Sequence, residues 1–474
     1  MSPTPFQQRI TRALNNRRAA GNIRRAMLGL MEKRQRAFPD AAALAALRER
    51  AASIRREAVA HLPQRLQQLQ QQCEANGIQV HWAADAAAAN TLICQILQEQ
   101  GVERVVKGKS MVSEEIGLNS ALAAAGIEAV ESDLGEYILQ LADEPPAHIV
   151  APAVHKDRAE VAALFQQLPH PPADDAIETL TATARAQLRD TFRRAGAGIS
   201  GVNFMIAETG TLCLIENEGN GRMSTTVPPI HIAITGIEKV IAHFADLPTL
   251  LALLPRSATG QPITTYVNLI QGPRRAGELD GPQQLHLVLL DQGRSQIAAD
   301  PALRDTLRCI RCGACMNHCP VYQRLGGQAY GSTYPGPIGT VFEPQQQGLA
   351  SRGEWLTACT LCGACGEVCP VKIPLPQLIN RLRFEAVRPV GSVDSALRGV
   401  GSQRRWREAL LWRLWAAVAS HPRYWRWLLA LLHRGRRFTP THIAPWSDCR
   451  QLRRPAAINL RHHIAAVTTN QRRS

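Results

Sequence analysis

Long apolar runs are missing from this 474-residue chain: no stretch of roughly 18 or more apolar residues occurs, so no helical membrane span is expected. The N-terminus has neither an apolar core nor a small-residue cleavage site, which argues against a secretory signal. It is arginine-rich and acid-poor, as a transit peptide would be. Without serine enrichment it reads instead as a surface helix. Zinc-finger, RNP and homeodomain patterns are lacking, so nucleic acid is not an expected partner. No credible flavin or nicotinamide fingerprint occurs. The G-x-G-x-x-G stretch "GAGISG", Gly196 to Gly201, follows a helical segment and precedes a strand, the reverse of the required context. It reads as a helix C-cap and turn. Low-complexity tracts are limited to an alanine run near residue 85.

What is present suits a globular protein of two or three domains, given the length and a charged fraction of 20%. The net charge of +15 sits at the ends. Residues 1–36 hold nine Lys/Arg against one acid, residues 404–437 nine against one, and residues 438–474 six against one. The span 37–403 is mildly acidic, with 30 basic and 36 acidic residues. Basic ends on an acidic body point to docking on an acidic partner or an anionic surface.

Eight of the twelve cysteines fall in two copies of C-x2-C-x2-C-x3-C-P. The first is Cys309, Cys312, Cys315 and Cys319 before Pro320; the second is Cys359, Cys362, Cys365 and Cys369 before Pro370. A disulfide scaffold belongs to short secreted chains. Zinc sites present two separated C-x2-C pairs that close one tetrahedron. Three thiolates at steps of three wrap a cubane, and the fourth, before proline, ordinarily serves the other cluster. Two [4Fe–4S] clusters are therefore expected, with crossed ligands. Cys309, Cys312, Cys315 and Cys369 would hold one; Cys359, Cys362, Cys365 and Cys319 the other. Gly313, Ala314, Gly363 and Ala364 would keep side chains off the sulfides, and His318 reads as a polar neighbour rather than a ligand. The intervening insert reads as a Gly/Pro-rich ordered loop, then a helix leading into Cys359. This layout looks like the helical two-cluster ferredoxins of respiratory dehydrogenases. The remaining Cys73, Cys94, Cys213 and Cys449 read as ordinary thiols.

Upstream, helical stretches at 41–72 and 85–100 alternate with β-rich runs at "IQVHWA", "ERVVKG", "IEAVES" and "HIVAPA", the last starting at His148. That alternation predicts an α/β domain with a largely parallel sheet. A second strand group follows at "VNFMIAETGTLCLIE", "IHIAITG", "ITTYVNLI" and "LHLVLL". In "KGKSMVSEE", Lys107 to Glu115, an anion site competes with a plain N-cap at Ser110 or Ser113. In "AETGTLCLIENEGNGR", Glu216, Glu218 and Arg222 occupy a loop where a nucleophilic carboxylate is conceivable, although surface loops collect the same residues. The C-terminal "RRWREALLWRLWAAVASHPRYWRWLLALLHRGRRF" reads as two helices divided at Pro422. A pair folded back on the protein with arginines outward is the plainest reading, ahead of a partner-binding or membrane-surface face.

The cysteine motifs, "AYGSTYPGPIGT", "AETGTLCLIENEGNGR" and "PPIHIAITGIEKV" together resemble the lactate utilization protein B family over nearly the whole chain. The resemblance implies an N-terminal helical segment at 1–68 and a lactate-utilization domain at 69–297 of the sugar-isomerase and CoA-transferase α/β type. A ferredoxin-type domain at 298–390 and a basic helical segment at 391–474 would follow. It implies an iron–sulfur electron carrier in the bacterial cytoplasm, one of three proteins that oxidise L-lactate to pyruvate. The partners would be the other subunits of that system, with 404–437 as a peripheral membrane contact in one reading. The family's cluster ligands carry over to all eight motif cysteines, and it supplies no catalytic residue. Clusters move electrons singly, so the two-electron oxidation would belong to a partner subunit. Three alternatives stand beside this: acyl or CoA transfer at Glu216 or Glu218, an assembly scaffold with structural clusters, and service to another 2-hydroxy acid such as glycolate.

Overall fold

The computed structural model describes residues 5–387 and 406–438. Among these residues ten strands occur: β1 Gln79–Ala83, β2 Arg104–Lys107, β3 Glu128–Glu131, β4 Ala197–Ser200, β5 Phe204–Ile206, β6 Thr211–Glu216, β7 Ile230–Gly236, β8 Val240–Ile241, β9 Tyr266–Ile270 and β10 Gln284–Leu290. Six of them form a sheet in the order β1-β10-β7-β4-β2-β3, with every pairing parallel. Buried strands between covering helices explain why "IHIAITG" runs nearly without polar alternation: all of β7 is buried. The late strand group does not stay together. β7 and β10 join the parallel sheet, whereas β5, β6, β8 and β9 make a second sheet ordered β8-β5-β6-β9. Its β5–β6 hairpin turns at Gly210, whose φ of +67° suits glycine.

Two expectations need correction. "GAGISG" is not a turn: the helix Ile177–Arg194 ends before it, and its middle is the buried strand β4. Gly198 is required there because a Cβ would lie 1.7 Å from the Ser224 carbonyl oxygen, in the helix Asn220–Thr226 packed across the strand. "HIVAPA" is not a strand. The His148 Nδ1 accepts N–H bonds from Val150 (3.1 Å) and Ala151 (3.2 Å), and the Tyr322 hydroxyl donates to the Ala147 carbonyl (2.5 Å). Backbone groups spent in this way cannot form a ladder.

The N-terminal helices are not a plain surface feature either. Phe6, Ile23 and Met27 are buried in one cluster with Tyr322, Tyr330 and Trp355 from the cysteine-rich region. Arg9 donates to the Ala329 and Tyr330 carbonyls, Arg34 to Val368, and Arg48 to Cys369. Arg55, fully buried, donates to four carbonyls, of Glu238, Val240, Leu307 and Arg308. Part of the terminal positive charge is thus used inside the molecule. The insert between the motifs holds a buried helix, Gly336–Gln347, that begins within the Gly/Pro-rich half rather than after it.

The C-terminal unit has helices at Trp406–Ser420 and Pro422–Arg434, so Pro422 opens the second. Leu411, Trp412, Trp415, Trp427 and Leu431 are exposed over more than half their surface, so apolar side chains face outward as well as arginines. Among the described residues no helix is long and apolar enough to cross a membrane. Cys449 lies outside them.

Candidate functional site

The two cysteine motifs fold as near copies. Two residues after the first cysteine of each, a non-glycine residue takes a left-handed backbone, Arg311 at φ 58° and Leu361 at 55°. That conformation costs about 1–2 kcal/mol for an L-residue. It turns the N–H onto the cysteine: Arg311 donates to Cys309 Sγ at 3.4 Å and Leu361 to Cys359 Sγ at 3.3 Å. Gly313 and Gly363 follow, also left-handed, and each opens a short helix, Ala314–Asn317 and Ala364–Val368. The fourth cysteines accept in the same manner, Cys319 from Tyr322 N–H at 3.5 Å and Cys369 from Ile373 N–H at 3.3 Å.

One cavity is lined by Cys309, Cys312, Cys315 and Cys369, three thiols of the first motif and the last of the second. Its other walls are Gly313, Pro370 and the apolar Ile149, Ile310, Ile338, Val371, Ile373 and Leu375. The other four thiols neighbour one another electrically. Burial raises the Cys365 thiol to about 12, and Cys319, Cys359 and Cys362 add to the rise. Burial likewise takes Cys369 to about 11, against the Ile373 N–H. Among the described residues no three His, Cys, Asp or Glu side chains converge on a single ion. Soft sulfur donors, N–H groups aimed at them and an apolar wall fit an iron–sulfur cluster. The two sets differ in setting. Arg311 lies over the edge-to-face pair Tyr334 and Phe342, at 4.1 and 4.4 Å from their ring centres, whereas its counterpart Leu361 and the next cysteine, Cys362, are exposed.

A second cavity, of about 310 Å³, opens at the carboxyl ends of β2, β4 and β7. From β2 the chain passes outward to β3, while from β4 it passes the other way to β7 and β10. The winding therefore reverses between β2 and β4, the place where open α/β sheets bind ligands. Gly108, Lys109 and Ser110 follow β2 into this cleft, Gly201 and Asn203 follow β4, and Lys239 follows β7. Arg311 and Tyr334 close it from the cysteine-rich side, and Ile149 lines both cavities.

Lys107 takes no part, because it is buried on Glu131 (2.6 Å), Asn119 (2.8 Å) and Glu114 (3.2 Å). Burial would lower its pKa, but the two carboxylates outweigh that and raise it. Ser110 is an N-cap, accepting from Ser113 N–H at 3.2 Å. Glu216 is held by its own loop, accepting from Glu218 N–H at 3.0 Å and Arg222 N–H at 3.3 Å. Glu218 lies at the cleft mouth and accepts from Leu134 N–H at 3.1 Å. The residue is exposed along its flank, yet desolvation of the carboxyl, then the Asp133 carboxylate, push it up to about 7. The Arg222 side chain is exposed and does not join the other two. His318 bonds the Ala314 carbonyl through Nδ1 at 2.9 Å, a polar neighbour of Cys319.

Sequence reasoning missed four positions. His148, fully buried, meets Asn317 Oδ1 at 2.9 Å and so ties the upstream domain to the first motif. Arg294, also fully buried, bonds Glu115 (2.7 and 2.9 Å) and Glu238 (2.6 Å), while Tyr334 donates to Glu115 at 2.7 Å. Lys239 and Arg311 complete the group. Ordinary spacing carries no signal for any of them; only the left-handed demand at Arg311 could be guessed, from its place in the repeat.

Residues 66–290 match the LUD domain family, residues 305–373 the 4Fe-4S dicluster domain, and residues 381–467 the C-terminal domain of lactate utilisation protein B. The chain is 41% identical over 392 residues to lactate utilization protein B of Bacillus pumilus, covering 82% of each chain. It is 40% identical over 387 residues to that of Bacillus subtilis, 81% of each. With the uncharacterized electron transport protein YkgF of Escherichia coli it shares 41% over 425 residues, 90% of this chain and 87% of that one.

Proposed function

The chain belongs to the lactate utilization protein B family, and we propose that it is the electron-carrying subunit of a system oxidising L-lactate to pyruvate. In this reading Cys309, Cys312, Cys315 and Cys369 hold one [4Fe–4S] cluster, and Cys319, Cys359, Cys362 and Cys365 a second. The observation that carries it is the cavity walled by three thiols of one motif and the last thiol of the other. Bound there, the clusters supply one-electron transfer. The polypeptide does the rest. N–H groups of Arg311, Tyr322, Leu361 and Ile373 stabilise charge on the sulfurs, and apolar walls keep water from the first set.

Cys362 lies at the surface whereas Cys312 and Cys369 are buried, so the second set is the natural point of exchange with a partner subunit. Hydroxyl oxidation releases two electrons together, and with no flavin or nicotinamide fingerprint in this chain that step belongs to the partner. The upstream α/β domain, in the same reading, has the sugar-isomerase and CoA-transferase type of fold. EPR-monitored redox titration of anaerobically purified protein tests the assignment. Two interacting signals and about eight irons per chain are expected, with reduction by L-lactate only when partner subunits are present. Reduction by lactate of this chain alone would move the oxidising site here, and about four irons would remove the second cluster.

A further inference from the structure

We propose that the cleft at the β2–β4 reversal binds a small organic monocarboxylate on Lys239 and Arg311, against the wall it shares with the first thiol cavity. Lys239 is only 6% exposed, lines the cleft, and its ammonium has no hydrogen bond or ion pair among the described residues. Arg311 has one terminal nitrogen, Nη1, buried without a partner, while Nη2 lies 3.5 Å from Glu238 Oε1. The charges count the same way. Arg55, Arg294, Arg311 and Lys239 stand against Glu115, Glu238 and the Cys309 sulfur, which as a thiolate leaves one positive charge over in this buried group. Uncompensated buried charge is costly, and a single carboxylate would cancel it.

The other end of the cleft sets the class of ligand. Asp133, Glu216 and Glu218 line the cleft together with Lys109, and that excess of carboxylates disfavours phosphates and other polyanions. Asn203 also lines the cleft; its Oδ1 accepts from Ile215 N–H at 2.9 Å, which leaves its side-chain NH2 to donate to a hydroxyl or oxo substituent. At about 310 Å³ the space admits a molecule larger than acetate and holds a small acid with room for water.

The position of Arg311 gives occupancy a consequence. Its backbone N–H donates to Cys309 Sγ, the residue lines the cleft, and of the cleft's lining Ile149 also walls the thiol cavity. A carboxylate on Arg311 and Lys239 offsets positive charge beside the first thiol set, which makes adding an electron there less favourable. Occupancy therefore lowers the reduction potential of the first cluster, a statement that rests on the ligand assignment proposed above.

Calorimetry on the anaerobic holoprotein at pH 7, with L-lactate, pyruvate and inorganic phosphate as separate probes, tests the cleft itself. One or both carboxylates should bind and phosphate more weakly. Lys239→Gln should weaken the carboxylate by about tenfold or more, Lys239→Arg should restore part of it, and iron and sulfide content should stay unchanged. Failure of both carboxylates to bind at millimolar concentration overturns the proposal. So does unchanged affinity in Lys239→Gln, or phosphate binding tighter than either acid. EPR-monitored titration with saturating carboxylate then reads the coupling: a more negative potential in the wild type and none in Lys239→Gln. Binding without a shift overturns the coupling and leaves the cleft; a protein without clusters overturns the electron-carrier reading, while calorimetry still decides the cleft.

Discussion

Replacing Arg294 with methionine should be among the most damaging single changes outside the cysteines. Its guanidinium has no exposed surface and makes three charge-assisted bonds, two to Glu115 and one to Glu238. Methionine fills much of the same volume, so the loss is electrostatic rather than a cavity. The carboxylates left behind are only 6% and 1% exposed. Burial alone would raise the Glu238 carboxyl, yet Arg294, then Arg311 and Lys239, hold it down to about 2. Breaking a buried pair costs about 3–5 kcal/mol. Two stranded carboxylates do not double that, because either can take up a proton instead. For a cooperative unit of this size about 1–2 °C of melting temperature accompanies each kcal/mol, so a fall of about 3–10 °C is expected in anaerobic melts at pH 7.5. The fall should shrink at pH 5.5, where stranded carboxylates protonate more readily, and Arg294→Met combined with Glu115→Gln should recover part of it. A melt within about 1 °C of wild type at pH 7.5, or a gap that widens on acidification, would refute the reasoning.

Gly198→Ala should fail to accumulate as folded protein, because its Cβ would meet the Ser224 carbonyl at 1.7 Å and neither backbone can yield in a central strand; soluble yield reads this. Cys312→Ser and Cys362→Ser should each remove about half the iron, one from each proposed cluster; loss of all iron from both would mean the two sites assemble only together. His231, fully buried on Ser200 at 2.8 Å, has its pKa lowered by burial to about 3. The unfolded chain therefore takes up that proton first, so this stability is present above about pH 6.5 and is lost between there and about pH 3, at up to ~1.4 kcal/mol per pH unit. His231→Gln should flatten that part of the stability–pH curve, and an unchanged slope would place the titration elsewhere.

Much of this was legible because some constraints are local in the chain. Cysteine spacing, strand runs such as "IHIAITG" and the cap at Ser110 depend on neighbours a few residues away, where periodicity and turn chemistry act. The errors came where a distant partner decided the outcome. "HIVAPA" has strand-like composition, but the His148 side chain takes two of its N–H groups and Tyr322 holds the carbonyl just before it. "GAGISG" has turn-like composition, but an approaching helix needed a glycine inside a strand. The N-terminal arginines have the composition of a docking surface, but Arg9 and Arg34 donate to carbonyls 320 and 334 residues away.

By itself the sequence determined the α/β alternation, the parallel sheet and the eight thiols in two motifs, since each is written in spacings the backbone imposes locally. Only the tertiary structure decided which thiols share a cavity, where the sheet reverses its winding, and that Lys239 and Arg311 face one cleft beside the first thiol set. Those positions come together through packing of segments far apart in the chain, and burial and charge balance act on what lies near in space, whatever its distance in sequence.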